Sequence, residues 1–322
     1  MKIWKPILGA LAASLMAAIP MNAASAAEIP CQTAKLIVPW APGGGTHIIF
    51  SIFEETINKM DGPKIQVVTI SGQGGNKGAK EAKKAKADGC TLFAIHQSAI
   101  VSYLAGRVDF TWDAFDMVAQ VTSTPEVIGA SANAPWADFK EVIAEAKSSP
   151  DTIPLGATLG STSQFMWLLI EELNPGAKFK YVPFDGTKQR VTALLADTIK
   201  LGTVNIPTAE KNVSQGTLKA YAVAAPERLP QFPDVPTLKE LGTDMTYSLD
   251  RGIVAPKGTP KDVIEMWSQT FKKAAENPEL LDNLKAKGTP VKWVGPDGYA
   301  EWFKNEYGAH EKVAIKIGMF KK

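Results

Sequence analysis

Residues 35–53 read KLIVPWAPGGGTHIIFSIF. Lys35-Leu36-Ile37-Val38-Pro39 is a short buried strand, ended by proline. Pro42-Gly43-Gly44-Gly45 is a loop. From Thr46, which serves as the N-cap, Ile49, Ile52, Phe53 and Met60 recur at helical spacing. A strand, a glycine loop and a helix in that order form one βα unit. The loop lies at the strand's C-terminal end, where open α/β sheets bind ligands.

The alternation continues downstream. Residues 65–70 read as a strand, 71–75 as a second glycine-rich loop, 76–87 as a helix and 91–95 as a strand. A helix over 137–147 carries Phe139, Val142, Ile143 and Ala146 on one face. Strands follow at 153–158, 179–182, 199–204 and 218–224, with helices at 163–173 and 188–196. Four prolines between 226 and 236 mark a loop and a boundary. Helices over 260–275 and 296–316 carry proline near their starts. This order predicts an α/β fold with mainly parallel sheets.

The chain of 322 residues has length for two domains. Its 45% hydrophobic and 21% charged residues match a soluble globular protein. The 35 basic and 33 acidic side chains nearly cancel, which excludes the footprint of a nucleic-acid binder. Two cysteines and three histidines leave no material for a zinc cluster, and no metal or cofactor is expected.

Lys2 and Lys5, the apolar run 7–19 and Ala24-Ser25-Ala26 read as a cleaved secretory signal peptide over 1–26. The run is too short to favour a membrane anchor. Removing Lys2 and Lys5 leaves 33 basic against 33 acidic side chains, so neither nucleic acid nor an anionic membrane is an expected partner. In an exported chain Cys31 and Cys90 either form a disulfide or stand as two separate buried thiols. Glu28-Ile29-Pro30 before Cys31 is no lipoprotein box.

Three strand-to-helix loops are candidate ligand contacts. They are Trp40 to His47, Ser71 to Asn76, and Gly156 to Ser163, the last including Thr158, Ser161 and Thr162. Glycine lets the backbone approach a ligand. The N–H groups of a helix start suit an anion. Each loop taken alone can also be an ordinary tight turn; three together favour a cleft. His47 and His96 both follow strands, and they either line that cleft or pack ordinarily. His310 lies on the polar last helix and is expected at the surface. There is no G-x-x-x-x-G-K-[ST], no G-x-G-x-x-G, no G-x-S-x-G and no H-E-x-x-H, so nucleotide and hydrolase readings lack support.

Val38 to His47 (VPWAPGGGTH) resembles the VPFAPGGGTD-like opening of the Bug, or TctC-like, substrate-binding proteins of tripartite tricarboxylate transporters. The likeness runs over nearly the whole chain beyond the leader. It includes Gly72 to Gly78, Asp88 to Leu92, Val182 to Gly186, Ala224 to Arg228 with Phe232 to Thr237, and Ala255 to Pro260. The resemblance implies a two-lobed, type II-like periplasmic binding protein, not an enzyme. One lobe would comprise 27–125 with 226–322 and the other 126–225, each a mainly parallel sheet flanked by helices. The lobes would close on a small organic acid, a di- or tricarboxylate or an aromatic carboxylate, and deliver it to a membrane permease. A monomer is expected.

By the same resemblance the first loop, with Trp40, Gly43, Gly44, Gly45, Thr46 and His47, would face the third, Thr158 to Gln164. Phe184, Gly186 and Thr187 would join from the second lobe. The N–H groups of Gly44, Gly45 and Thr46 would hold one carboxylate. The hydroxyls of Thr158, Ser161 and Ser163 would hold the other end, and His47 or His96 would tune charge. The chain departs from the family in having His47 for Asp, Asn205 for Asp, and Asp250-Arg251 in place of a Trp-containing stretch. Arg251 either clamps a carboxylate or pairs with Asp250 or another acid. A sensor accessory for a signalling receptor, with the same cleft, is the alternative function; a periplasmic hydrolase is the third.

Overall fold

The computed structural model describes residues 1–2 and 29–319. The leader expected at 1–26 lies outside them beyond Lys2. The first segment contributes β1 (Thr33–Val38), α1 (Gly45–Lys59), β2 (Lys64–Thr69), α2 (Asn76–Lys84), β3 (Thr91–Ile95), α3 (Ser98–Leu104) and β4 (Phe115–Pro125). The middle segment follows with β5 (Val127–Ser131), α4 (Phe139–Ser148), β6 (Pro154–Ala157), α5 (Thr162–Leu173), β7 (Lys180–Pro183), α6 (Thr187–Leu195), β8 (Leu201–Val204), α7 (Ile206–Ser214) and β9 (Leu218–Val223). The last comprises β10 (Ser248–Pro256), α8 (Lys261–Ala275), α9 (Pro278–Ala286), β11 (Val291–Val294) and α10 (Pro296–Lys316).

Two sheets result, in the orders β11-β4-β10-β3-β1-β2 and β7-β6-β8-β5-β9. Each lies among helices, giving two lobes. β1 is flanked on both sides by parallel strands, so Leu36 faces Val67 on one neighbour and Leu92 on the other. Its inner residues Leu36 and Val38 are fully buried, as expected of a strand covered on both faces.

Both sheets are mixed, which corrects the expectation of mainly parallel ones. β10 runs antiparallel to β3 and β4, and β5 runs antiparallel to β8 and β9. The cause is the junction at Glu126. β4 passes through this one residue into β5 and so leaves the first sheet for the second with no crossover helix. β10 then returns beside β4. A rule that reads only strand–helix alternation cannot see a strand that continues into another sheet. The return crossing is tied to the outgoing one: Glu126 N–H donates to Tyr247 O, Ala224 N–H to Glu126 O and Tyr247 N–H to Ala224 O.

Cys31 and Cys90 are bonded, with Cα atoms 5.9 Å apart, and fasten the chain before β1 to the start of β3. Beside this link the indole of Trp267 donates to Gly89 O at 2.9 Å. The stretch 97–136, which carries little alternation, holds α3, β4 and β5. α2 ends at Lys84 rather than 87, with Ala85 as its C-cap.

His310 is a further correction: it is buried, 5% exposed, and not at the surface. Tyr299, Phe303, His310 and Ala314 share one face of α10 and are all buried. The His310 ring stacks on Phe165 of α5 at 4.4 Å, so α10, which starts against the first sheet, also covers the second lobe. The polar residues that dominate α10 occupy its other faces.

Candidate functional site

A cavity of about 280 Å³ opens between the two sheets. That suits a small metabolite rather than a nucleotide or peptide. Four helices start at its wall: α1 at Gly45 and Thr46, α5 at Thr162 and Ser163, α6 at Thr187, and α7 at its N-cap Asn205. The first N–H groups of a helix have no carbonyl partner within it, and the helix dipole is positive there. Four such ends around one cavity make a field that favours an anion.

The first loop contributes Trp40, Gly44, Gly45 and Thr46 to the wall. Thr46 is not the N-cap; Gly44 holds that place and makes no side-chain cap. The Thr46 hydroxyl instead accepts from Arg251 Nε at 3.0 Å. Gly44 N–H donates to Ala41 O at 3.1 Å, so it closes the turn and is not available to a ligand. The free donors that line the cavity at this end are those of Gly45 and Thr46.

Gly43 and His47 do not line the cavity. The Gly43 N–H donates to His47 Nδ1 at 3.3 Å on the outer side of the loop. His47 follows Thr46 on a helix, and residues one apart point in directions about 100° apart. With Thr46 inward, His47 turns out. His96 does line the wall, 3% exposed, with its ring stacked on Trp40 at 4.2 Å and 8°. Its Nδ1 accepts from Ser98 N–H at 3.1 Å, which places the ring proton on Nε2. Burial, then the neighbouring Arg251, push its pKa well below the usual histidine range. His96 is therefore a neutral donor at pH 7.

From the second lobe come Thr158, Ser161, Thr162, Ser163, Gly186 and Thr187. The Ser163 hydroxyl accepts from Thr158 N–H at 2.9 Å and shapes the loop. Gln164 and Phe184 are not in the wall. Gln164 Oε1 accepts from Gly160 N–H at 2.7 Å, a purely local bond. Phe184 packs against the apolar core of the second lobe.

Arg251 is 3% exposed and reaches the cavity. Its Nη1 donates to Thr124 Oγ1 at 2.8 Å, and Nη2 lies by Gly45 at the start of α1. It does not pair with Asp250, which accepts from Gln97 at 2.9 Å, Gln120 at 3.1 Å and Ser248 at 2.9 Å. Successive side chains on a strand face opposite sides, so the two cannot share one face.

Sequence reasoning missed a second buried arginine. Arg190 of α6 is 2% exposed and lines the cavity from the other lobe. Its Nε donates to Thr203 O at 2.9 Å, and Nη2 donates to Thr203 Oγ1 at 2.8 Å and Thr187 Oγ1 at 3.1 Å. The signal lay in two distant glycines: a Cβ at Gly156 would sit 2.8 Å from Arg190 Cγ, and one at Gly202 would sit 2.9 Å from its Cδ. Both strands are stripped to let the arginine stem through. Burial lowers the pKa of each arginine to about 10, so both remain charged at pH 7. Glu126, 8% exposed, was also missed; it lines the same wall and feels the charge of both arginines. Ser71, Gly72, Thr124, Asp185, Lys188, Gln189 and Asn205 complete the polar wall.

The tripartite tricarboxylate transporter family receptor model matches residues 49–318. The BugT protein of Bordetella pertussis is 27% identical over 292 residues, 88% of each chain. The malate-bound MatC of Rhodopseudomonas palustris is 27% identical with a TM-score of 0.82, covering 89% of this chain and all of that one. A solved structure described as a periplasmic transporter is 28% identical with a TM-score of 0.83, over 89% and 97% of the two chains.

Proposed function

The chain belongs to the tripartite tricarboxylate transporter receptors, and from that premise we propose that it captures a small organic acid in the periplasm and hands it to a membrane permease. One observation carries the reading. Two buried arginines, one from each lobe, and four helix N-termini surround a single cavity between the sheets. The malate held by a relative of the same fold supports a carboxylate ligand.

One carboxylate sits at the start of α1, held by the Gly45 and Thr46 N–H groups and the Arg251 guanidinium. The other end meets α5 and α6, with Thr158, Ser161, Thr187 and Arg190. Trp40 forms an apolar wall, and His96 offers its Nε2–H. We place the lobe boundaries at 125/126 and 225/226, assign 1–26 to an export leader, and take the protein as a monomer. Closure removes water, which strengthens every polar contact inside.

A thermal-shift screen against mono-, di-, tri- and aromatic carboxylates and amino acids tests this. A ligand at about 100 times its Kd adds roughly 2.7 kcal/mol of stability. Gly45→Asp puts a carboxylate beside Arg251 at the helix start. It should leave the fold intact, since an acid there favours the helix by about 0.3–1 kcal/mol, and should abolish the ligand shift. A screen with no carboxylate hit, or an undiminished shift in G45D, refutes the assignment.

A further inference from the structure

Glu126 stands in the cavity without a place among the anion-holding groups. It is the one residue between β4 and β5, where the chain passes from one lobe to the other. Its side chain is buried in the wall of the cavity, which Arg190 also lines while donating to the Thr203 hydroxyl. Arg251 from the first lobe and Arg190 from the second line the same wall. Both guanidiniums spend their bonds on threonine hydroxyls and main-chain carbonyls. The acid is therefore held near two cations and locked to neither.

The buried wall carries two positive groups and one negative, while His96 is neutral. Lys188 and Asp185, of opposite sign, sit exposed at the rim. Burial, then the charges of Glu306, Glu126 and Asp250, keep the phenol of Tyr247 on the return crossing protonated. A monoanion entering the closed cavity balances the buried set with Glu126 ionised. A dianion leaves one negative charge in excess. An uncompensated charge in a desolvated site costs several kcal/mol, and a carboxylate relieves it by taking a proton.

We propose that Glu126 makes capture of dianions proton-coupled: one solvent proton adds to its carboxylate for each dianion closed into the cleft, and none for a monoanion. This rests on the reading of the cavity as a carboxylate site. Burial already raises the affinity of Glu126 for a proton, against the opposing pull of Arg190, Arg251 and the Thr203 hydroxyl.

Isothermal calorimetry with succinate, glutarate and their monomethyl esters decides the matter, run in two buffers of different ionisation heat. Between about pH 6.5 and 8.5 these ligands keep fixed charges. The diacids should take up as much as one proton and bind more weakly as pH rises, by up to about tenfold per pH unit. The monoesters should bind with no proton uptake and no pH dependence. Glu126→Gln should abolish uptake by the diacids and should not weaken the monoesters, because it removes a negative charge from beside the bound anion. Diacid binding without proton uptake in the wild-type protein, or uptake that persists in E126Q, overturns the inference alone. Binding of none of the four overturns the carboxylate site and the inference with it. The wild-type buffer comparison decides even if E126Q does not fold.

Discussion

Arg251 and Asp250 are chain neighbours on β10 with no bond between them. The side chains divide between the faces of the strand, one toward the cavity and one toward a buried amide network. Their substitutions should therefore separate binding from stability. Arg251→Met should weaken carboxylate affinity by roughly ten- to a hundredfold, the worth of a charged hydrogen bond at about 1.5–3 kcal/mol, read by calorimetry. Asp250→Ala should leave affinity nearly unchanged but cost about 1–3 kcal/mol of stability, because the Gln97 and Gln120 amides lose their acceptor. Urea unfolding measures that cost. Equal effects of both variants on affinity would show that the strand's two faces are not independent.

Helix α10 acts at the next scale. It brings His310 against Phe165 of α5 and so joins elements from the two lobes. Burial depresses the His310 pKa to about 4, despite the Glu306 carbonyl at its Nδ1, from an ordinary value of 6.5. The unfolded chain therefore binds the proton first on acidification. The stability that the neutral ring contributes is complete above about pH 6.5 and is lost progressively as pH falls toward 4, by about 3 kcal/mol in all. His96 is shifted the same way and adds to the loss. His310→Phe keeps the stack and removes its part of the slope. Melting temperatures from pH 7 to 4.5 should fall less steeply in H310F than in the wild-type protein.

Across the whole molecule, bonds at and beyond the rim of the cavity hold the lobes together. Ser102 Oγ donates to Gly160 O at 2.9 Å, Arg107 Nη1 donates to Leu159 O at 2.5 Å, and Gly74 N–H donates to Asp185 Oδ1 at 3.4 Å. Lys316 pairs with Glu172 at the far side. Opening the cleft breaks such contacts, so they bias the closed form that the ligand needs. Replacing Ser102 and Arg107 together by alanine should weaken ligand affinity about five- to thirtyfold, at about 1 kcal/mol per bond. Small-angle scattering should show a larger radius of gyration without ligand and the wild-type value with it. Unchanged scattering and affinity would assign closure to other contacts.

Local chemistry alone determined the βα units around Val38, Ile70 and Ala157, because apolar runs, glycine loops and helix starts are written in adjacent residues. It also marked the loops that carry Gly45, Thr46, Thr158 and Ser161, since a helix N-terminus binds anions wherever it is placed. Where side chains point was another matter. His47 turns outward and Gln164 closes its own turn, while Arg190 and Glu126, unremarkable in the sequence, line the cavity. Arg190 reaches it only because Gly156 and Gly202, 46 positions apart in the chain, lie on neighbouring strands and leave room. Glu126 becomes part of the site because β4 runs on into the second sheet. Burial, and with it the charge of the cleft, depends on contacts between distant segments, and only the tertiary structure decides those.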